Sequence, residues 1–213
     1  ISAFLFHAGG NNDPAVLKAN ADKSFQGSIV LGMGFTFDDT NPEASPLAEK
    51  DRLIAKDPRN AERIFPYLGG EEINSDPEHK HHRFIINFGE MTEEQVQGWP
   101  DLMSIVEYKV KPKRLTDNRD SYRRYWWQYA EKRGELYRAI ESLKRVLVIA
   151  RVGQHGALAF LKNGMVYSEQ LIVFATSSYA SFASLQSRPH ELWARFFGSS
   201  MKDDLRYTPS DCF

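Results

Sequence analysis

Arg145–Val152 reads RVLVIARV, and Glu169–Phe174 reads EQLIVF. Both are short apolar runs rich in β-branched residues, the composition of strands buried on both faces. Ala157–Leu161 (ALAFL) lies between them, and Asn163-Gly164 is a tight-turn signal separating two of the three. Upstream, Arg119–Leu143 predicts a long helical region with Leu136, Ile140 and Leu143 on one face and Gly134 as a break. Downstream, helices are predicted over Tyr179–Ser187 and His190–Phe197, followed by an extended tail. In the N-terminal half, Ser28–Phe35 (SIVLGMGF) and Arg83–Phe88 (RFIINF) read as strands. Ser45-Pro46 supplies an N-cap and a first helical residue for a helix reaching about Lys56. Thr92 with Gln95 spells a capping box, and Leu102, Ile105, Val106 and Tyr108 space a helix that ends before Pro112. Helices and strands are mixed without strict alternation. The expected class is therefore α+β, mixed sheet regions with flanking helices, in one domain over residues 1–213.

With 42% hydrophobic and 13% aromatic residues, the chain can bury a sizeable core, which excludes wholesale disorder. Its net charge of −1 is neutral about partners, but the charge is segregated. Glu107–Arg145 holds twelve Lys/Arg against six Asp/Glu, whereas Thr36–Asp101 holds seven against fifteen. Such runs are often no more than solvated helix faces. Cys212 is the only cysteine, so no intramolecular disulfide forms and a reducing, cytoplasmic setting is expected. No apolar stretch reaches membrane-spanning length and no signal-peptide pattern is present, so no membrane partner is expected. Ile1 in place of a methionine and the abrupt stop at Phe213 lead to the expectation of a piece of a longer polypeptide.

Several patterns carry possible chemistry. Gly32-Met33-Gly34-Phe35 follows a strand signal, as a cofactor loop does, but leads into Thr36-Phe37-Asp38-Asp39 instead of a helix. Close backbone packing is the better account of these glycines. Pro100-Asp101, five residues, then Glu107-Tyr108-Lys109 spells a Mg²⁺-dependent nuclease signature. That chemistry needs the carboxylates to converge, yet the helical spacing sets Asp101 and Glu107 about 120° apart. His79-Lys80-His81-His82 lacks the cysteines or carboxylates of a metal site, and Lys80 and Arg83 make phosphate contact a competitor. Tyr122–Gln128 (YRRYWWQ) interleaves cations with aromatics, as nucleic-acid surfaces do. Trp126, Trp127 and Tyr129 read better as core residues. In Arg151-Val152-Gly153-Gln154-His155-Gly156, glycines flank polar groups at a strand end. Arg and Gln are the side chains that pair with guanine and adenine edges in the major groove.

Taken together, ordered segments across nearly the whole chain resemble the target-recognition region of type IIG restriction enzymes. They are Phe25–Ser28 with Gly32–Phe35, Ile64–Asn74 (IFPYLGGEEIN), Arg83–Phe88, Trp126-Trp127, Arg145–Val152, Leu185–His190 (LQSRPH) and Tyr207–Phe213 (YTPSDCF). In that family the region follows a methyltransferase domain marked by a glycine loop and an Asn-Pro-Pro-aromatic tetrapeptide. Asn41-Pro42-Glu43 lacks the second proline and the aromatic. The resemblance implies that adenine methylation and cleavage, with S-adenosylmethionine and Mg²⁺, belong to N-terminal methyltransferase and nuclease domains of the same polypeptide, and that this chain has no cofactor and no catalysis of its own. It also implies that bases are read near Gln154 and His155. The expected double-stranded DNA contacts are therefore Arg151, Gln154 and His155 to bases. Lys80, Arg83, Lys109, Lys111, Lys113, Arg114, Arg123 and Arg124 are the expected backbone contacts. Two other readings remain open: a nuclease using Asp101, Glu107 and Lys109, and a module that docks on the methyltransferase without reading bases.

Overall fold

The computed structural model describes residues 18–201 and 204–213. In the N-terminal half the strands are β1 (Ser24–Gln26), β2 (Thr36–Phe37), β3 (Ile64–Leu68) and β4 (Arg83–Ile86). The helices there are α1 (Leu47–Lys56), α2 (Gly70–Ser75), α3 (Glu93–Val96), α4 (Pro100–Lys109), α5 (Lys111–Leu115) and α6 (Asp120–Arg124). Then follow α7 (Gly134–Ile140), β5 (Arg145–Ala150), β6 (Val152–Gly153), β7 (Leu158–Lys162), β8 (Val166–Tyr167) and β9 (Leu171–Phe174). The chain closes with α8 (Tyr179–Leu185), α9 (Arg188–Phe197), β10 (Ser199–Met201), β11 (Asp204–Arg206) and α10 (Pro209–Cys212). The expected α+β class is what the chain adopts.

β5 sits inside a four-stranded antiparallel sheet ordered β1-β9-β5-β7. Its alternate residues enter two different cores, which is why RVLVIA carries no polar face. Val146, Val148 and Ala150 pack with Leu136 and Ile140 of α7 and Ile73 of α2. Leu147 and Ile149 pack with Leu185 of α8, Ala194 of α9, and Leu205 and Tyr207 near the C terminus. A second four-stranded sheet, β2-β4-β3-β8, supports the core that includes Phe35, Ile85, Val106 and the two tryptophans. A small sheet of β10, β11 and β6 extends from the end of β5.

Several local expectations change. Thr92 and Gln95 form the capping box, with Thr92 N donating to Gln95 Oε1 at 2.9 Å and Gln95 N to Thr92 Oγ1 at 3.3 Å. Ser45 is not the N-cap of α1. Pro46 takes that place without a side-chain bond, and Asp39 Oδ1 accepts from Leu47 N at 2.8 Å. Ser28–Phe35 is not a strand. Ser28 and Ile29 make isolated bridges, Leu31 and Gly32 turn with φ of 52° and 144°, and Met33–Phe35 is one 3-10 turn. Asn163-Gly164 closes no hairpin between its flanking strands, because β7 pairs with β5 while β8 runs parallel to β3 in the other sheet.

The long helix expected over Arg119–Leu143 is split. Trp127 Nε1 and Gln128 Nε2 both donate to Met91 O, Tyr129 Oη donates to Ile86 O, and Glu131 pairs with Ile29. Those anchors pull the segment out of helical form until Arg133, at φ 55°, turns the chain into α7. Trp126, Trp127 and Tyr129 are core residues, as their sequence context suggested. The expected extended tail instead forms β10, β11 and α10.

Candidate nucleic-acid interface

At the end of β5 the sheet hands over to β6. Arg151 N donates to Gln170 O at 2.7 Å, and Tyr207 N donates to Arg151 O at 2.8 Å. These bonds fix the backbone of Arg151 between two neighbouring segments. Arg151 lines a polar cavity of about 520 Å³ shared with Glu71, Asn74, Arg83, Glu169 and Gln170. Gln170 is itself held, because its Oε1 accepts from Gly70 N at 2.9 Å. The cavity wall is therefore built from α2, β4 and the turn before β9.

β6 then leads into the Gly153–Gly156 turn. Gln154 and His155 are exposed there, as glycine-flanked polar residues at a strand end should be. The turn is tied by its backbone. Ala157 N donates to His155 O at 2.7 Å, Arg195 Nη2 to Gln154 O at 2.8 Å, and Gln186 Nε2 to Gly156 O at 3.1 Å. Asn74 Oδ1 lies 3.7 Å from where a Cβ on Gly153 would stand, so the turn adjoins the cavity. The register of β11 sets Arg206 opposite Val152. The structure thus gathers Arg151, Gln154 and His155, and adds Asn74, Gln170 and Arg206. Sequence reading missed these three. The only signal for Gln170 was a polar residue heading an apolar strand, and Asn74 stood in a quoted segment without a role.

Arg83 lies at the edge of the same cavity but is committed elsewhere. Its Nε and Nη2 donate to Glu72 Oε1 and Oε2 at 2.8 and 2.9 Å, and Glu72 Oε2 also accepts from Gly69 N at 2.8 Å. The Glu72 side chain is 1% exposed and that of Arg83 15%, so this is a nearly buried ion pair. Lys80 is exposed and paired with Glu78.

The basic stretch is more heavily partnered than its sequence suggests. Lys109 Nζ donates to Ala44 O at 2.7 Å, Lys111 pairs with Glu107 at 2.6 Å, and Lys113 with Glu43 at 2.8 Å. Arg123 donates to Asp117 O and pairs with Asp120. Arg124 is exposed and stacks over Tyr125 at 5.5 Å. Arg114 must be corrected. It is 2% exposed, and its Nη2 donates inward to Val30 O at 2.8 Å and Gln128 O at 3.1 Å. A guanidinium enclosed in this way cannot reach a phosphate.

Among the described residues the other chemistries find no assembled site. Asp101 pairs with Lys56 at 2.6 Å and Glu107 with Lys111, on separate faces of α4, while Lys109 is turned to the Ala44 carbonyl. The three nuclease residues do not converge. At Gly34 an added Cβ would stand 2.5 Å from Lys109 Cβ, so the glycine loop is a helix-packing contact with no space for a phosphate. Among the described residues no group of three His, Cys, Asp or Glu is placed to hold a metal ion, and His82 instead approaches Glu72 at 3.5 Å. Nor, among the described residues, is any helix long and apolar enough to cross a membrane.

These features define a mixed α/β domain whose exposed polar turn adjoins a polar cavity. The family described as "MmeI, target recognition domain" matches residues 19–213, and the chain belongs to that family. In three dimensions it is similar to a solved structure of the type IIL restriction-modification enzyme MmeI in complex with DNA, with a TM-score of 0.67 and 18% identity. The match covers 89% of this chain and 24% of that one. No curated protein sequence matches the chain.

Proposed function

We propose that this chain is the specificity domain of a restriction–modification polypeptide and reads sequence in double-stranded DNA. Methyl transfer to adenine from S-adenosylmethionine, and Mg²⁺-dependent cleavage, would lie in methyltransferase and nuclease domains N-terminal to it. Neither group fits here: the Gly32–Gly34 turn is filled by Lys109 and Val110, and Asp101 and Glu107 face different lysines.

The observation that carries this reading is the exposed Gln154-His155 turn beside the cavity lined by Arg151, Asn74 and Gln170. Arg offers paired donors that match the two guanine acceptors, and Asn and Gln a donor and an acceptor that match adenine, in the major groove. The turn's backbone is held by three hydrogen bonds, so its side chains are presented from a firm base. Membership of a target-recognition family, and the DNA bound to the similar MmeI structure, support the same reading. Exposed basic residues such as Arg124 and Lys113 would position the duplex without reading it.

The test is selection from a random-sequence duplex library by the full polypeptide carrying this domain. Bound DNA should converge on one short motif. Recovery of unselected sequence would favour a docking module that touches no bases.

A further inference from the structure

We infer that Leu31 is a wedge, an apolar side chain held out to enter the base stack of bound DNA. The inference rests on the DNA-reading function proposed above.

Leu31 has φ of 52°, in the left-handed region that a γ-branched aliphatic residue seldom adopts. Burial does not compensate for this conformation, because the residue is 46% exposed. An unfavourable backbone that presents an apolar group to water stabilises nothing in the free protein. Such outliers persist where the surroundings over-determine them, and they cluster at functional sites.

The bracing is visible on both sides. Ile29 exchanges backbone hydrogen bonds with Glu131, each at 3.1 Å. Val30 is buried and its carbonyl accepts from Arg114 Nη2 at 2.8 Å. Gly32, at φ 144°, rests over Val110, 3.7 Å from the site of its absent Cβ. Arg114 is a costly brace. It is buried, and its Nε and Nη1 have no hydrogen-bond partner among the described residues. Through Nη2 it ties Val30, the residue before Leu31, to the same guanidinium as the Gln128 carbonyl, which fixes the base of the tip.

The surroundings suit a duplex. Arg114 and Val110 belong to the stretch that also carries Lys111 and Lys113. The second carbonyl held by Arg114 is that of Gln128, whose N–H donates to Tyr125 O, next to exposed Arg124. The turn at Leu31 is thus braced by the segment that carries Lys111 and Lys113, each also paired with a carboxylate, and these cations are the ones that would hold phosphates beside the apolar tip. Insertion of Leu and similar residues between base steps is an established way to unstack and bend DNA. It also suits a partner that must present a base outside the helix.

The test compares the full polypeptide with Leu31→Asn and Leu31→Met by permanganate footprinting on plasmid DNA, read beside nuclease protection. Permanganate oxidises thymines that have lost stacking. Asparagine accepts the left-handed backbone but removes the apolar group, so Leu31→Asn should melt no lower than the parent. It should protect the same sites while permanganate reactivity there falls to the level of free DNA. Leu31→Met should keep a several-fold enhancement. Protected sites with enhancement undiminished in Leu31→Asn, or with none in the parent, would overturn the wedge alone. Lower melting of Leu31→Asn would assign Leu31 to packing and overturn it as well. No protected site in the parent would overturn the DNA reading and the wedge together.

Discussion

Arg151 and Gln170 are joined by a backbone hydrogen bond of 2.7 Å, and both residues line one polar cavity. They lie on segments that flank the central sheet, so the strands that build the core also set the spacing of the candidate readout. A change at either side chain should alter chemistry at the surface without disturbing the ladder that positions it.

The basic residues separate into two kinds, and salt dependence tells them apart. Arg124→Ala removes an exposed cation and should lower the log–log salt slope of DNA binding by roughly one while leaving stability nearly unchanged. Arg114→Met should instead leave Val30 O and Gln128 O unpaired and lower unfolding stability by about 1–3 kcal/mol. Any loss of affinity in Arg114→Met should come without the slope change. A slope change in Arg114→Met with full stability would return Arg114 to the phosphate-contact class.

The Glu72–Arg83 pair has a structural role that can be measured by itself. Glu72→Gln keeps the shape but leaves a nearly buried guanidinium unpaired, a class of change that costs about 3 kcal/mol or more. Urea denaturation of the variant should show that loss, and a midpoint close to the parent's would contradict the assignment.

Stability should fall as the medium is acidified through the histidine range. Burial pushes the His190 imidazole below its ordinary value while its Nε2 meets Tyr207 Oη at 3.0 Å, and burial lowers His81 too. The folded state therefore favours the neutral rings. The unfolded chain binds more protons once pH drops below about 6.5, so the stabilisation present above that pH is lost on descent toward the folded values. Denaturation midpoints should decline between about pH 7 and pH 5, and His190→Gln should flatten part of that decline. An equal decline in His190→Gln would remove His190 from the account.

Much of the core was legible because its code is local. Alternate side chains of Arg145–Ala150 feed two cores, which makes the run apolar throughout and readable from composition. Pairing was not legible. Nothing local in Asn163-Gly164 says that the strand after it belongs to the other sheet beside Tyr67 and Leu68. The exposed polar turn was visible from its glycines, but the cavity beside it was not, since Asn74 and Gln170 lie far from Arg151 or from each other along the chain. Arg114 was misjudged for the same reason. In a run of cations it looks solvated, and only the fold places it beneath Val30.

The chain alone should be chemically inert toward DNA. Incubated with plasmid, Mg²⁺ and S-adenosylmethionine, it should leave the plasmid unmethylated and uncut, because Asp101, Glu107 and Lys109 each have separate partners. Cleavage that Asp101→Ala abolishes would restore the nuclease reading.

The most direct test of the central claim is methylation-site sequencing with the full polypeptide carrying Gln154→Ala or His155→Ala. Both side chains are exposed on a turn fixed by its backbone, so neither change should lower the melting temperature appreciably. Losing a paired contact to a base costs on the order of 1–3 kcal/mol of discrimination, which should relax one position of the methylated motif while the others stay fixed. An unaltered motif in folded variants of both residues would contradict the account.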